Sequence, residues 1–153
     1  MKKLLLTLTI ISVSLCLNGL AFTEGFTVES IQGNYAFQAT LGPKVIFLGA
    51  GTADGDGNIS ATGTGSFPAP FGERQIVTGS FEGTVEVNPD GTGVMPHTRT
   101  FEGINTVAFV ADFAIMQAEV VDGVKLATEI FGTVGSGAYQ GHPLIYTLKR
   151  LPD

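Results

Sequence analysis

Tryptophan is absent from this 153-residue chain, cysteine occurs once, and only 14% of the residues are charged. A single thiol at Cys16 cannot form an intrachain disulfide, so an exported form of the chain must be held by its core alone. Disorder is excluded by the same composition, because disordered chains are rich in charge and poor in apolar residues, whereas 44% of these residues are hydrophobic. Basic residues are scarce too, 8 Lys and Arg against 14 Asp and Glu, for a formal net charge of −6. That balance argues against nucleic acid and against anionic membrane surfaces as partners. No apolar run reaches the roughly 20 residues that span a bilayer. The longest occupies residues 4–17.

That run has a different use. Met1-Lys2-Lys3 is basic, the apolar segment follows, and Gly19-Leu20-Ala21 supplies the small residues a signal peptidase reads. The layout predicts a secretory signal over 1–21 and export to the periplasm or the extracellular space, with no membrane insertion after signal removal. Leu15, directly before Cys16, is too large for a lipoprotein signal. Removing 21 of 153 residues leaves a single domain of 132, residues 22–153, and takes with it Lys2, Lys3 and Cys16. The net charge becomes −8, and thiol chemistry and thiolate metal sites leave with the cysteine.

The remaining chain has the period of two that strands impose. Ile59, Ala61, Gly63, Gly65 and Phe67 alternate with Asn58, Ser60, Thr62, Thr64 and Ser66. Gly79, Phe81, Gly83, Val85 and Val87 alternate with Ser80, Glu82, Thr84, Glu86 and Asn88. Tyr35, Phe37, Ala39 and Leu41 do the same near the start, and Leu144, Tyr146 and Leu148 near the end. Asp54-Gly55-Asp56-Gly57-Asn58, Asn88-Pro89-Asp90-Gly91 and Asp122-Gly123 stand between such runs, and Asp-Gly favours tight hairpin turns. About eight strands follow: 33–41, 44–53, 58–67, 74–88, 91–101, 104–113, 115–121 with 124–134, and 138–149. The stretch 109–121 is ambiguous between strand and helix.

Successive strands joined by tight turns make an antiparallel meander that must bury one face, as a barrel or, alternatively, as a sandwich. Glycines on the apolar face (Gly63, Gly65, Gly79, Gly83) favour the barrel, because coiled strands need such gaps. A membrane barrel needs an apolar outside and a polar inside. These strands instead set Gly and Ala on one face and Glu, Thr, Ser and Asn on the other.

The motifs Ile31-x-Gly33-x-Tyr35-x-Phe37, Asp54-Gly55-Asp56-Gly57-Asn58 and Asn88-Pro89-Asp90-Gly91-Thr92-Gly93 together resemble a group of small exported bacterial proteins. Those proteins look like barrels of the allene-oxide-cyclase or calycin type. The resemblance spans most of residues 30–150 and implies the fold, export and a bacterial origin. Its cyclase branch raises an isomerase or cyclase activity by analogy of fold.

Few residues suggest chemistry. Asp54, Asp56 and Asn58 alternate like the start of a calcium loop, but the sixth and twelfth places hold Ile59 and Gly65 instead of Gly and Glu. They read as turn residues bonding their own backbone. Gly49-Ala50-Gly51 has neither the third glycine nor the helix of a nucleotide fingerprint. His97 and His142 stand beside Pro96 and Pro143 and read as exposed loop or strand-end residues. No metal and no cofactor is expected. Asp112 interrupts a run apolar on both faces, and a buried carboxylate is costly unless paired. It reads as a strand end turned to solvent or a partner of Arg99 or Arg74, and it is the one catalytic candidate if it faces a cavity.

Two functions remain open. The first is a non-enzymatic barrel that holds a small apolar molecule, with Tyr35, Phe37, Phe81, Phe109 and Phe113 as binding residues, or an interaction module. The alternative is an isomerase or cyclase acting on an apolar substrate inside the barrel. The apolar segment 107–116 suggests a homo-oligomer contact.

Overall fold

The computed structural model describes residues 25–42, 45–68, 73–102, 106–137 and 144–152. The signal segment, His142 and the stretch 138–143 of the last expected strand lie outside them. After a 3-10 turn at Val28–Ile31 come β1 (Gly33–Leu41), β2 (Val45–Ala53), β3 (Asn58–Pro68), β4 (Arg74–Thr84) and β5 (Glu86–Val87). β6 (Thr92–Phe101), β7 (Val107–Val121), β8 (Val124–Gly137) and β9 (Leu144–Arg150) complete the chain. Neighbours in sequence pair antiparallel, β6 takes both β4 and β5, and β9 returns to β1. The result is a closed eight-stranded antiparallel barrel with β5 as a short addition.

Closure removes the exposed edges that open sheets must protect. The turns match their sequences. Asp122 and Gly123 both have positive φ, 50° and 86°, which fits the Asp-Gly preference of a two-residue hairpin. At the β2–β3 turn, the Asp54 carboxylate accepts from the backbone N–H of Asp56 at 2.8 Å and of Asn58 at 3.0 Å, and from the Asn58 amide at 2.6 Å. The Asp90 carboxylate holds Thr92 in the same way. Both Asp pKa values fall, chiefly through these side-chain bonds.

Two divisions of the chain differ from the sequence reading. The expected strand 74–88 breaks at Val85, whose N–H turns to the Gly57 carbonyl at 2.8 Å instead of to β6. The stretch 107–121 is one strand, not two, and the ambiguous segment 109–121 is β throughout. Register shifts between β7 and β8 at Val110/Ala111 and around Gln117 explain the blurred alternation, since a bulge moves side chains to the other face. Beyond Ile115 the β7–β8 hairpin outruns its neighbours, and it buries Leu126 and Ala127 at the end where Ile31 is also buried.

The interior is apolar and layered. At one end Phe47, Phe67 and Phe101 interlock, with ring centroids 5.2–5.7 Å apart. Such pairs contribute about 0.5–1.5 kcal/mol each beyond area burial. At the other end Ile31 is 1% exposed. The interior glycines are seats for rings on the same or neighbouring strands. A Cβ at Gly65 would stand 2.6 Å from Phe47 and 2.7 Å from Phe67, one at Gly79 2.5 Å from Phe101, and one at Gly49 2.5 Å from Phe37. Outside, Ile46, Leu48, Ile76, Phe131 and Ile145 are exposed on β2, β4, β8 and β9. Among the described residues no helix is long and apolar enough to cross a membrane.

Candidate functional site

Between the phenylalanine layer and Ile31 the barrel is not filled. A cavity of about 90 Å³ remains, lined by Tyr35, Phe37, Phe81, His97, Arg99 and Tyr146 among others, and its wall is almost wholly carbon. Small residues make the room: Ala39 on β1, Gly51 and Ala53 on β2, and Ala61 on β3 all face it. Phe37 and Phe81 meet edge to face in its wall at 5.1 Å.

Two polar side chains stand at this wall unexpectedly. His97 and Arg99 are 7% and 4% exposed, at alternate positions in the middle of β6. The expectation that His97 is a loop or strand-end residue is therefore corrected. Its neighbour Pro96 lies inside a strand because it falls opposite Thr84, where the ladder is interrupted between Gly83–His97 and Glu86–Val94. No backbone donor is needed at that gap, so proline is tolerated there.

The Met95 carbonyl lies 2.8 Å from His97 Nδ1, while Arg99 Nε donates to His97 Nε2 at 2.9 Å. An arginine can only donate, so Nε2 accepts and Nδ1 carries the proton. The imidazole is therefore the neutral Nδ1–H form. Burial, and then the Arg99 charge, push its pKa down to about 4 against the pull of the Met95 carbonyl. The Arg99 guanidinium lies 4.9 Å from the Phe81 ring centre and 4.6 Å from that of Phe109, and His97 stacks on Phe109 at 5.6 Å.

The tyrosines are tethered across the barrel. Tyr35 donates to the Ala127 carbonyl at 3.0 Å, and Tyr146 lies over Gly132 and donates to the Asp112 carbonyl at 3.4 Å. Burial pushes the Tyr35 phenol up to about 12 and raises that of Tyr146 as well.

Of the binding residues expected from sequence, Tyr35, Phe37 and Phe81 line the cavity. Phe109 sits behind them against His97 and Arg99. Phe113 is buried over Gly93, away from this space. The Asp112 side chain is exposed on the outer face of β7, between the buried Ala111 and Phe113, and the Arg99 side chain is on the inner face of β6. Asp112 is a mid-strand residue, not a strand end, and does not face the cavity. Sequence reasoning missed His97 and Arg99. Their signal was the alternation itself, Gly93, Met95, His97, Arg99, Phe101, which sets them in line with the buried positions.

Among the described residues no three His, Cys, Asp or Glu side chains gather into a metal-holding group. Fold and site together define a closed, up-and-down β-barrel with a small internal cavity, consistent with a calycin-like barrel. No family model, curated protein or solved structure compared with the chain matches it.

Proposed function

We infer that this protein is an exported, non-enzymatic barrel that binds a small apolar molecule in its interior. The observation that carries this reading is the carbon-walled cavity of about 90 Å³ in the barrel. Barrels of eight strands either fill their interior or hold one small ligand, and this one spends alanines and glycines on leaving space. The volume is small beside the roughly 300–1,000 Å³ of drug-sized sites. It suits a single ring or a short chain. Export rests on the leader pattern at 1–21, which supports a location in the periplasm or outside the cell. The enzymatic alternative loses its candidate proton donor, because the Asp112 side chain is on the outside.

Native mass spectrometry of the protein purified from its own host tests the reading. A co-purifying small molecule is expected. A bare mass, unchanged by incubation with benzene or a short-chain alcohol, would move the weight to an interaction role, with the observed stoichiometry as the next clue.

A further inference from the structure

Among the described residues lining the cavity, the polar side chains are all engaged within the protein. Tyr35 and Tyr146 donate to the Ala127 and Asp112 carbonyls, and the hydroxyls of Thr52 and Ser60 bond each other at 3.2 Å. Neutral His97 uses one ring nitrogen on the Met95 carbonyl and the other on Arg99. Arg99 gives its Nε–H to that histidine and lays its guanidinium against the rings of Phe81 and Phe109. What these side chains turn to the hollow is carbon, beside the carbon of Phe37, Ala61 and Leu148.

Such a wall discriminates by what it withholds. A hydroxyl, amine or ring nitrogen gives up its bonds to water on entry, and that loss is costly unless the protein replaces them. Here the protein has spent its donors and acceptors on itself. Water fares no better, because a buried water needs two to four polar partners, so an apolar guest has little water to displace. Resting on the binding reading above, we propose that the ligand is a compact hydrocarbon with no hydrogen-bonding atom. The volume agrees, since about 90 Å³ is of the order of the roughly 150 Å³ apolar cavity that takes up benzene. Acids, alcohols and amines of the same size fit the walls equally well but strand their polar ends.

Calorimetric titration of the protein purified from its host tests this, with benzene, phenol and pyridine as probes. The three are similar in size, phenol adds a donor, and pyridine adds an acceptor. Each affinity is referred to the compound's own partition from water into octanol, a solvent that itself hydrogen-bonds. On that scale benzene is expected to exceed both others by about tenfold or more, as an unreplaced hydrogen bond requires. A smaller ratio for phenol or for pyridine shows that the wall supplies a partner, which overturns the hydrocarbon assignment and leaves apolar binding standing. Failure of all three to bind overturns both.

Discussion

Arg99 Nε donates to His97 Nε2 at 2.9 Å inside the barrel, so a permanent cation fixes its neighbour as a neutral imidazole. A second proton on His97 would place two positive charges together in an apolar interior and remove the acceptor Arg99 uses. Burial, which penalises the charged ring, and then the Arg99 charge beside it push the His97 pKa down to about 4, and they tie the fold to acidity.

The sign of that dependence follows from linkage. The His97 pKa is pushed down to about 4 in the folded protein from the usual 6.5, so as pH falls the unfolded chain takes the proton first. The stability this residue contributes is complete above about pH 6.5 and is lost as pH falls toward 4. Between pH 7 and pH 5 the expected loss is about 2 kcal/mol. Urea unfolding at the two pH values, on the wild type and on His97→Gln, measures it. Glutamine can accept from Arg99 and donate to Met95 without titrating, and His142 is common to both proteins. Equal losses in both would locate the effect elsewhere.

The seating of rings on glycines makes a second expectation. A methyl at Gly65 would meet Phe47 and Phe67 at 2.6 and 2.7 Å, and both rings are locked against Phe101. Overpacking of this kind costs about 1–3 kcal/mol. Gly65→Ala is therefore expected to shift the denaturation midpoint down by that much. Thr64→Ala, on the exposed face one residue away, is expected to stay within about 0.5 kcal/mol. A Gly65→Ala variant as stable as the wild type would mean that the rings move aside freely.

How much of this was legible in the sequence depends on what each residue obeys. Ile59 to Phe67 and Gly79 to Val87 follow the period of two, and Asp54, Asp90 and Asp122-Gly123 follow local turn chemistry, so barrel strands and hairpins could be read directly. The division of 107–121 was hidden because bulges at Val110 and Gln117 break the period. His97 and Arg99 were hidden for another reason. Hydrophobicity assigns histidine and arginine to the surface, and only their place in the alternation with Met95 and Phe101 turns them inward, beside Phe81 and Phe109. The cavity depends on the sum of many small side chains around a closed wall, which no single strand displays.

Tyr35 supplies a local test of how the β7–β8 hairpin is held. Its hydroxyl, donating to the Ala127 carbonyl at 3.0 Å, links β1 to a strand that is not its neighbour. Tyr35→Phe keeps the ring and strands a buried carbonyl, at a cost of about 1–3 kcal/mol. Hydrogen exchange is expected to accelerate selectively in 124–130, with β2 to β4 unchanged. Uniform acceleration would show that the bond supports global stability only.

Filling the cavity separates binding from folding. Ala61 faces the space from β3, beside Gly51, and a leucine there would extend into the hollow without displacing Phe37 or Phe81 from their strands. Cavity-filling substitutions commonly stabilise by about 0.5–2 kcal/mol. Ala61→Leu is therefore expected to hold or raise the denaturation midpoint while abolishing the binding of benzene or a short-chain alcohol. Stability and binding would then move in opposite directions, which loss of the fold cannot produce. Retained binding in a variant of unchanged stability would place the ligand outside the barrel.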